Sequence, residues 1–271
     1  MHREEEGELR WTSSQQRHLV DIGRVTLVSP GRTRILARER RVGSRLDQTP
    51  LHLAVITDQP ELVALLLQHR ASPLIPDRNG QTCIHLACEN GSVRSLEVLI
   101  RTGIRDLEST NYHGMTALHL AIRSGRRDIT ECLLEHGADV NAVDLKSGQS
   151  PLILAVENEF EELVSLLLQK GAEINGSTYA GNTALHVASG RGLYEITRLL
   201  LRSGADGSIK NCHNDTAMTV AKDRKIVDIL RGKSSSPCSQ NERLRGPIKG
   251  RPYSPLSQGA ASGNISFSPP P

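Results

Sequence analysis

The chain has 271 residues, 37% of them apolar but only 3% aromatic, and a formal net charge of +3. That length allows one or two domains, and the core has to be built from Leu, Ile, Val and Ala, which argues against a deep aromatic-lined pocket for a small-molecule substrate. The longest apolar runs, such as Leu65-Leu66-Leu67, fall far short of the ~20 residues a membrane span needs, so no membrane partner is expected.

Residues 1–46 begin MHREEEGELR, without the apolar stretch of a secretory signal. RVTLVS at 24–29 reads as a short strand, and a basic run extends from Arg38 to Arg45. The segment carries ten Arg/Lys against six Asp/Glu and is expected to form an irregular basic arm.

A regular register begins at 47 and runs to 232. Helix-opening hydroxyls fall at Thr49, Thr82, Thr116, Ser150, Thr183 and Thr216, in steps of 33 or 34 residues. Ser and Thr are good N-caps, and Pro50 and Pro151 follow two of them at the first helical position, where a missing N–H is harmless. Five residues after each cap stands an alanine: Ala54, Ala87, Ala121, Ala155, Ala188 and Ala221. A small side chain there lets neighbouring helices approach. Two residues after each cap is a large apolar side chain: Leu51, Ile84, Leu118, Leu152, Leu185 and Met218. A Leu/Ile pair marks each second helix: Leu66-Leu67, Leu99-Ile100, Leu133-Leu134, Leu167-Leu168 and Leu200-Leu201. Two residues before each cap stands Asp47, Gly80, Gly114, Gly148, Gly181 or Asn214, types that tolerate the left-handed conformation of a tight hairpin.

A helix pair this short cannot bury its apolar face alone, so copies must stack. The expected fold is an all-α solenoid of six helix pairs joined by hairpin fingers. The sixth copy reaches Gly232 sooner after its cap than the others reach their closing residue, which predicts shorter helices and a terminal cap. Arg70 stands where later copies place Gly137, Gly171 and Gly204. This central stretch, 47–231, is mildly acidic, with 18 Lys/Arg against 23 Asp/Glu.

Residues 233–271 are rich in Ser, Pro and Gly, a composition that buries too little apolar area to offset ordering entropy and reads as disordered. The tail is basic: Lys233, Arg243, Arg245, Lys249 and Arg251 against Glu242. Ser236, Ser254 and Ser268 each precede a proline and are expected sites of proline-directed phosphorylation, which adds roughly −1.5 to −2 charge per event.

No residue pattern points to catalysis or to a cofactor. The five cysteines (Cys83, Cys88, Cys132, Cys212, Cys238) are odd in number and form no CxxC, which speaks against a disulfide framework or a zinc site. His52, His85, His119 and His186 share one repeat position on successive helices ~8–10 Å apart, too far for two to share a metal. They are expected to bridge a helix start to the neighbouring turn. Gly190-Arg191-Gly192 lacks the strand, spacing and Lys-Ser/Thr pair of a phosphate loop.

Function then rests on the surface. The variable positions flank each fingertip and the end of each first helix, and are expected to form one concave partner-binding face. They are Arg78, Asn79, Tyr112, His113, Arg123, Lys146, Glu157, Asn158, Tyr179, Arg191 and His213. Exposed tyrosines among arginines are typical anchors of protein interfaces.

The period, the Thr49-Pro50-Leu51-His52-Leu53-Ala54 string and the Gly-Ala ends at Gly137-Ala138, Gly171-Ala172 and Gly204-Ala205 resemble ankyrin repeats. The histidine position departs from the pattern at Ile153 and Thr219. More specific strings are Asp144-Leu145-Lys146-Ser147-Gly148, Ala155-Val156-Glu157-Asn158, Lys210 through Thr216, and Ala188 through Leu193. These are similar to the inhibitor-of-κB family, and to its nuclear branch in particular. The resemblance implies binding of Rel-homology NF-κB dimers through the concave face and fingers, with homodimers of subunits lacking an activation domain as preferred partners. It further implies a nuclear transcriptional coregulator that meets DNA only through its partner. Two other readings stay open: a cytoplasmic inhibitor holding Rel dimers off DNA, and an ankyrin adaptor for an unrelated protein. An inhibitor would want an Asp-Ser-Gly phosphodegron and an acidic tail, and this sequence has neither.

Overall fold

The structure is a computed structural model that describes residues 47–103 and 106–232. The expected strand at 24–29, the basic run from Arg38, Cys238 and the three Ser-Pro sites (Ser236, Ser254, Ser268) lie outside the described residues.

Eleven helices are found among the described residues, in five pairs and a remnant. The pairs are α1 (Pro50–Ile56) with α2 (Pro60–Gln68), and α3 (Cys83–Asn90) with α4 (Val93–Arg101). Next come α5 (Ala117–Arg123) with α6 (Arg127–Glu135), then α7 (Pro151–Glu157) with α8 (Glu161–Gln169). The last pair is α9 (Ala184–Arg191) with α10 (Tyr194–Arg202), and α11 (Arg224–Leu230) ends the series. First helices pack on first helices of the next copy, and second helices on second helices. Among the described residues no helix is long and apolar enough to cross a membrane.

The helix starts form where the hydroxyls stand. Thr49, Thr82, Thr116, Ser150 and Thr183 are N-caps with extended backbone. In four copies the histidine three residues on completes a capping box, because its Nδ1 receives the backbone N–H of Thr49 (2.9 Å), Thr82 (3.3 Å), Thr116 (3.3 Å) or Thr183 (3.2 Å). A ring whose Nδ1 accepts is neutral and carries its proton on Nε2. That N–H reaches into the next copy: His85 donates to the Ser109 carbonyl, His119 to Gln149 and His186 to Asp215, each at 3.0 Å. All four histidines are buried, and these three fasten neighbouring copies together, whereas His52 Nε2 has no hydrogen-bond partner among the described residues. Each is spent on one helix start.

The predicted core is the observed one in the first five copies. Ala54, Ala87, Ala121, Ala155 and Ala188 are fully buried, as are the first members of the leucine pairs from Leu99 to Leu200. The second members, Leu67, Ile100, Leu134, Leu168 and Leu201, are half-buried against the same core. Cys83 and Cys88 are buried free thiols, and burial pushes the Cys83 thiol up to about 12 and raises Cys88 too. Neither offers a thiolate at neutral pH.

The sixth copy differs from expectation beyond being shorter. Its first helix is replaced by turns over 217–219, following a bridge between Lys210 and Thr216. Thr219 takes the histidine position and its Oγ1 accepts the Thr216 N–H at 2.9 Å, so the start is capped yet nothing propagates. Met218 is 37% exposed and Ala221 is only partly buried, against the pattern set by the other five copies. Both positions pack when a further copy covers them. Here none of the described residues does.

Asp47, Gly80, Gly114, Gly148, Gly181 and Asn214 all take positive φ, between +53° and +76°, as the hairpins require. Arg70 is forced into the same region, at φ +62°, where Gly103, Gly137, Gly171 and Gly204 sit in later copies. A non-glycine residue there is strained. Arg70→Gly is expected to raise stability by about 1 kcal/mol, once the entropy glycine adds to the unfolded chain is deducted. An unchanged or lower urea midpoint would contradict this.

Candidate functional site: the finger edge and first-helix ends

Each finger is a hairpin closed on its first residue. Asp77 Oδ1 accepts the Asn79 and Gln81 N–H groups at 2.8 and 2.9 Å. Asn111 Oδ1 accepts those of His113 and Met115 at 2.9 and 3.1 Å, and Asn211 Oδ1 those of His213 and Asp215 at 2.9 and 3.0 Å. Asp144 is buried. Burial works against its charge, but donors from Gln149, Ser147 and Lys146 outweigh it and hold its carboxyl below the usual carboxylate range. These side chains give the fingertips a fixed shape.

Successive fingers are then joined by main-chain hydrogen bonds. Tyr112 N–H donates to Asn79 (3.0 Å), Leu145 to Gly114 (3.1 Å), Tyr179 to Ser147 (2.9 Å) and Cys212 to Ala180 (3.0 Å). The same residues rest on the preceding finger's glycine. A Cβ on Gly80 would stand 2.5 Å from the Tyr112 ring, and one on Gly148 2.5 Å from the Tyr179 ring. Only glycine leaves room for those rings. Tyr112, Leu145 and Tyr179 remain 71%, 64% and 65% exposed.

This geometry brings Arg78, Asn79, Tyr112, His113, Lys146, Tyr179 and His213 onto consecutive fingertips. Arg78 lies 3.9 Å from Asp47, and Lys146 Nζ is 3.2 Å from His113 Nδ1. Arg123, Glu157, Asn158 and Arg191 form a second row, at the C-terminal ends of α5, α7 and α9. Its charges are largely matched within the chain. Arg123 meets Glu89 at 3.0 Å and Met115 Sδ at 3.3 Å. Arg191 meets Glu159 at 3.5 Å and the Glu157 carbonyl. Asn158 turns its amide back to the Leu154 carbonyl at 2.8 Å, closing its own helix.

Sequence reading missed Leu145, Glu89 and Glu159. Counting back from the cap aligns Lys146 with the two tyrosines. The fourth finger, however, spans 144 to 149 between its paired residues, one more than 111 to 115 or 178 to 182. The residue after the hairpin's first position is therefore Leu145, and Lys146 stands beside the row. Spacing gave no signal, because the 34-residue step before Ser150 also precedes Thr116, whose finger is of ordinary length.

The ankyrin-repeat family model (three copies) matches residues 51–144 and 142–211. The crystal structure of the ankyrin repeat domain of Bcl-3, described as a unique member of the IkappaB protein family, superposes with a TM-score of 0.69 at 54% identity, covering 72% of this chain and 87% of that one. The chain is an ankyrin-repeat protein of the inhibitor-of-κB family. Within that family it is 50% identical over 208 residues to the human B-cell lymphoma 3 protein, covering 76% of this chain and 46% of that protein. NF-kappa-B inhibitor alpha of Sus scrofa is 47% identical over 75 residues, 26% of this chain and 24% of the relative. The chain thus spans less than half the length of these curated family members.

Proposed function

We propose that the chain is a nuclear transcriptional coregulator. It binds NF-κB Rel dimers through the finger edge and first-helix ends, homodimers of subunits without an activation domain being preferred. It stays on κB-site DNA through that partner. The observation that carries this reading is the likeness to the Bcl-3 ankyrin domain, which runs through nearly the whole repeat stack at 54% identity, whereas the match to an NF-κB inhibitor covers 26% of the chain. Charge supports the same choice. A Rel dimer on DNA presents a strong negative field. An acidic tail would compete with the phosphates, but residues 232–271 carry five Lys/Arg and one Glu.

A gel-shift titration tests it. Adding the unphosphorylated full chain to a Rel homodimer on κB-site DNA is expected to give a slower-migrating ternary band at modest salt. Stoichiometric loss of the dimer–DNA band would replace the coregulator with an inhibitor.

A further inference from the structure

We infer that Tyr112, Leu145 and Tyr179 form a docking strip for an extended acidic polypeptide segment with an apolar residue at every third position. The inference deepens the reading above, because it uses the same finger edge, and it names what that edge takes.

The three side chains occupy one position on three consecutive fingers and are the most exposed large apolar side chains among the described residues, at 71%, 64% and 65%. They are also held still. Each backbone N–H is bonded to the preceding finger and each side chain lies on a glycine that admits nothing larger. Anchors fixed before binding lose little entropy when they bind. Mobile apolar side chains left in water would gain nothing from being seated this way.

Charge and spacing select the occupant. The tip segments 112–114, 145–148 and 179–182 contain no carboxylate, while Lys146 and His113 stand between the anchors. Asp144, which opens the middle finger, is buried and occupied by its own hairpin. A negative segment therefore meets the Lys146 ammonium and no carboxylate on these tip segments. Fingers ride on helix pairs packed about 8–10 Å apart. A polyproline II segment advances about 9.3 Å per three-residue turn, so its every third residue falls on the next anchor. A β-strand, advancing about 6.8 Å per two residues, drifts out of step. Single-stranded nucleic acid needs a continuous cationic track along its backbone, which Lys146 and His113 do not make on an acidic body.

The test uses the full chain and a fluorescein-labelled peptide of five Pro-Glu-Leu triplets in an anisotropy titration. The matching Pro-Lys-Leu peptide and an oligothymidine of equal length serve as comparisons. The acidic peptide is expected to bind best. The Tyr112→Ser/Tyr179→Ser double variant and the single variant Lys146→Glu should each weaken it tenfold or more. Lys146 is exposed, so its variant keeps the fold and reads the charge term alone. Equal binding of the basic peptide, tighter binding of oligothymidine, or variants that bind as the wild type does would each overturn the strip. Capture of a Rel homodimer by the same wild-type sample separates the two conclusions. A chain that captures the dimer and ignores the acidic peptide sinks the strip alone, and one that binds the peptide but no dimer sinks the reading it rests on.

Discussion

Leu133→Ala is expected to lower the unfolding free energy by about 2–5 kcal/mol. Leu133 lies in α6 and has no solvent-accessible surface. Its helix packs against α5 of its own copy and against α4 and α8 on either side, so the cavity left behind lies among three neighbouring helices and collapses poorly. In a stack each copy is stabilised by its neighbours, and a defect in the third copy weakens two interfaces at once. Leu134, one residue on, is only half-buried, and its alanine variant should cost clearly less. Chemical denaturation of the two variants side by side checks the assignment. A Leu133→Ala curve that overlays the wild type would mean that the core face has been drawn wrongly.

Acid is expected to destabilise the stack as well. Burial lowers the His52, His85 and His119 pKa values, outweighing the nearby Asp77, Asp106 and Asp144 charges and the carbonyls facing the rings. The unfolded chain, with ordinary histidines near 6.5, therefore binds more protons than the folded one. Stability is full above about pH 6.5 and falls as pH drops through that value towards the folded pKa values. The slope reaches at most about 1.4 kcal/mol per pH unit for each histidine, or about 4 for the three together. Urea midpoints measured from pH 7.5 to 5 should decline accordingly, and the decline should flatten in a His85→Gln/His119→Gln variant. A level profile across that range in the wild type would show that the rings are not held neutral.

The repeat register was legible because it is local. A hydroxyl cap, a proline and a left-handed turn residue act within a few positions of one another, so Thr49, Pro50 and Asp47 could be assigned without neighbours. The helix-start end of each histidine was legible for the same reason, since Thr116 and His119 are three residues apart, whereas the carbonyls they reach in the next copy lie 24 to 30 residues on. What the sequence withheld is non-local. Glu89 finds Arg123, and Glu159 finds Arg191, across a full repeat, so two arginines that looked available for a partner are already engaged inside the chain. Met218 and Ala221 match the core pattern by type, yet burial depends on what covers them. Leu145 was displaced from its row by one extra residue inside a finger, where a count from the cap loses step.

The substitution of Ile153 for histidine also has a mechanical meaning. The second, third and fifth copies are pinned to their successors by a directional N–H to carbonyl bond, which fixes how far one helix layer sits from the next. Ile153 is fully buried and holds its own helix start through Ser150, but an aliphatic side chain prefers no particular direction. On the finger side the same junction stays tied by Tyr179 and Ser147. The fourth and fifth copies are thus held by the finger bond and, at the helix ends, by the exposed contacts of Arg191 with Glu157 and Glu159, without the buried directional bond the histidines supply elsewhere.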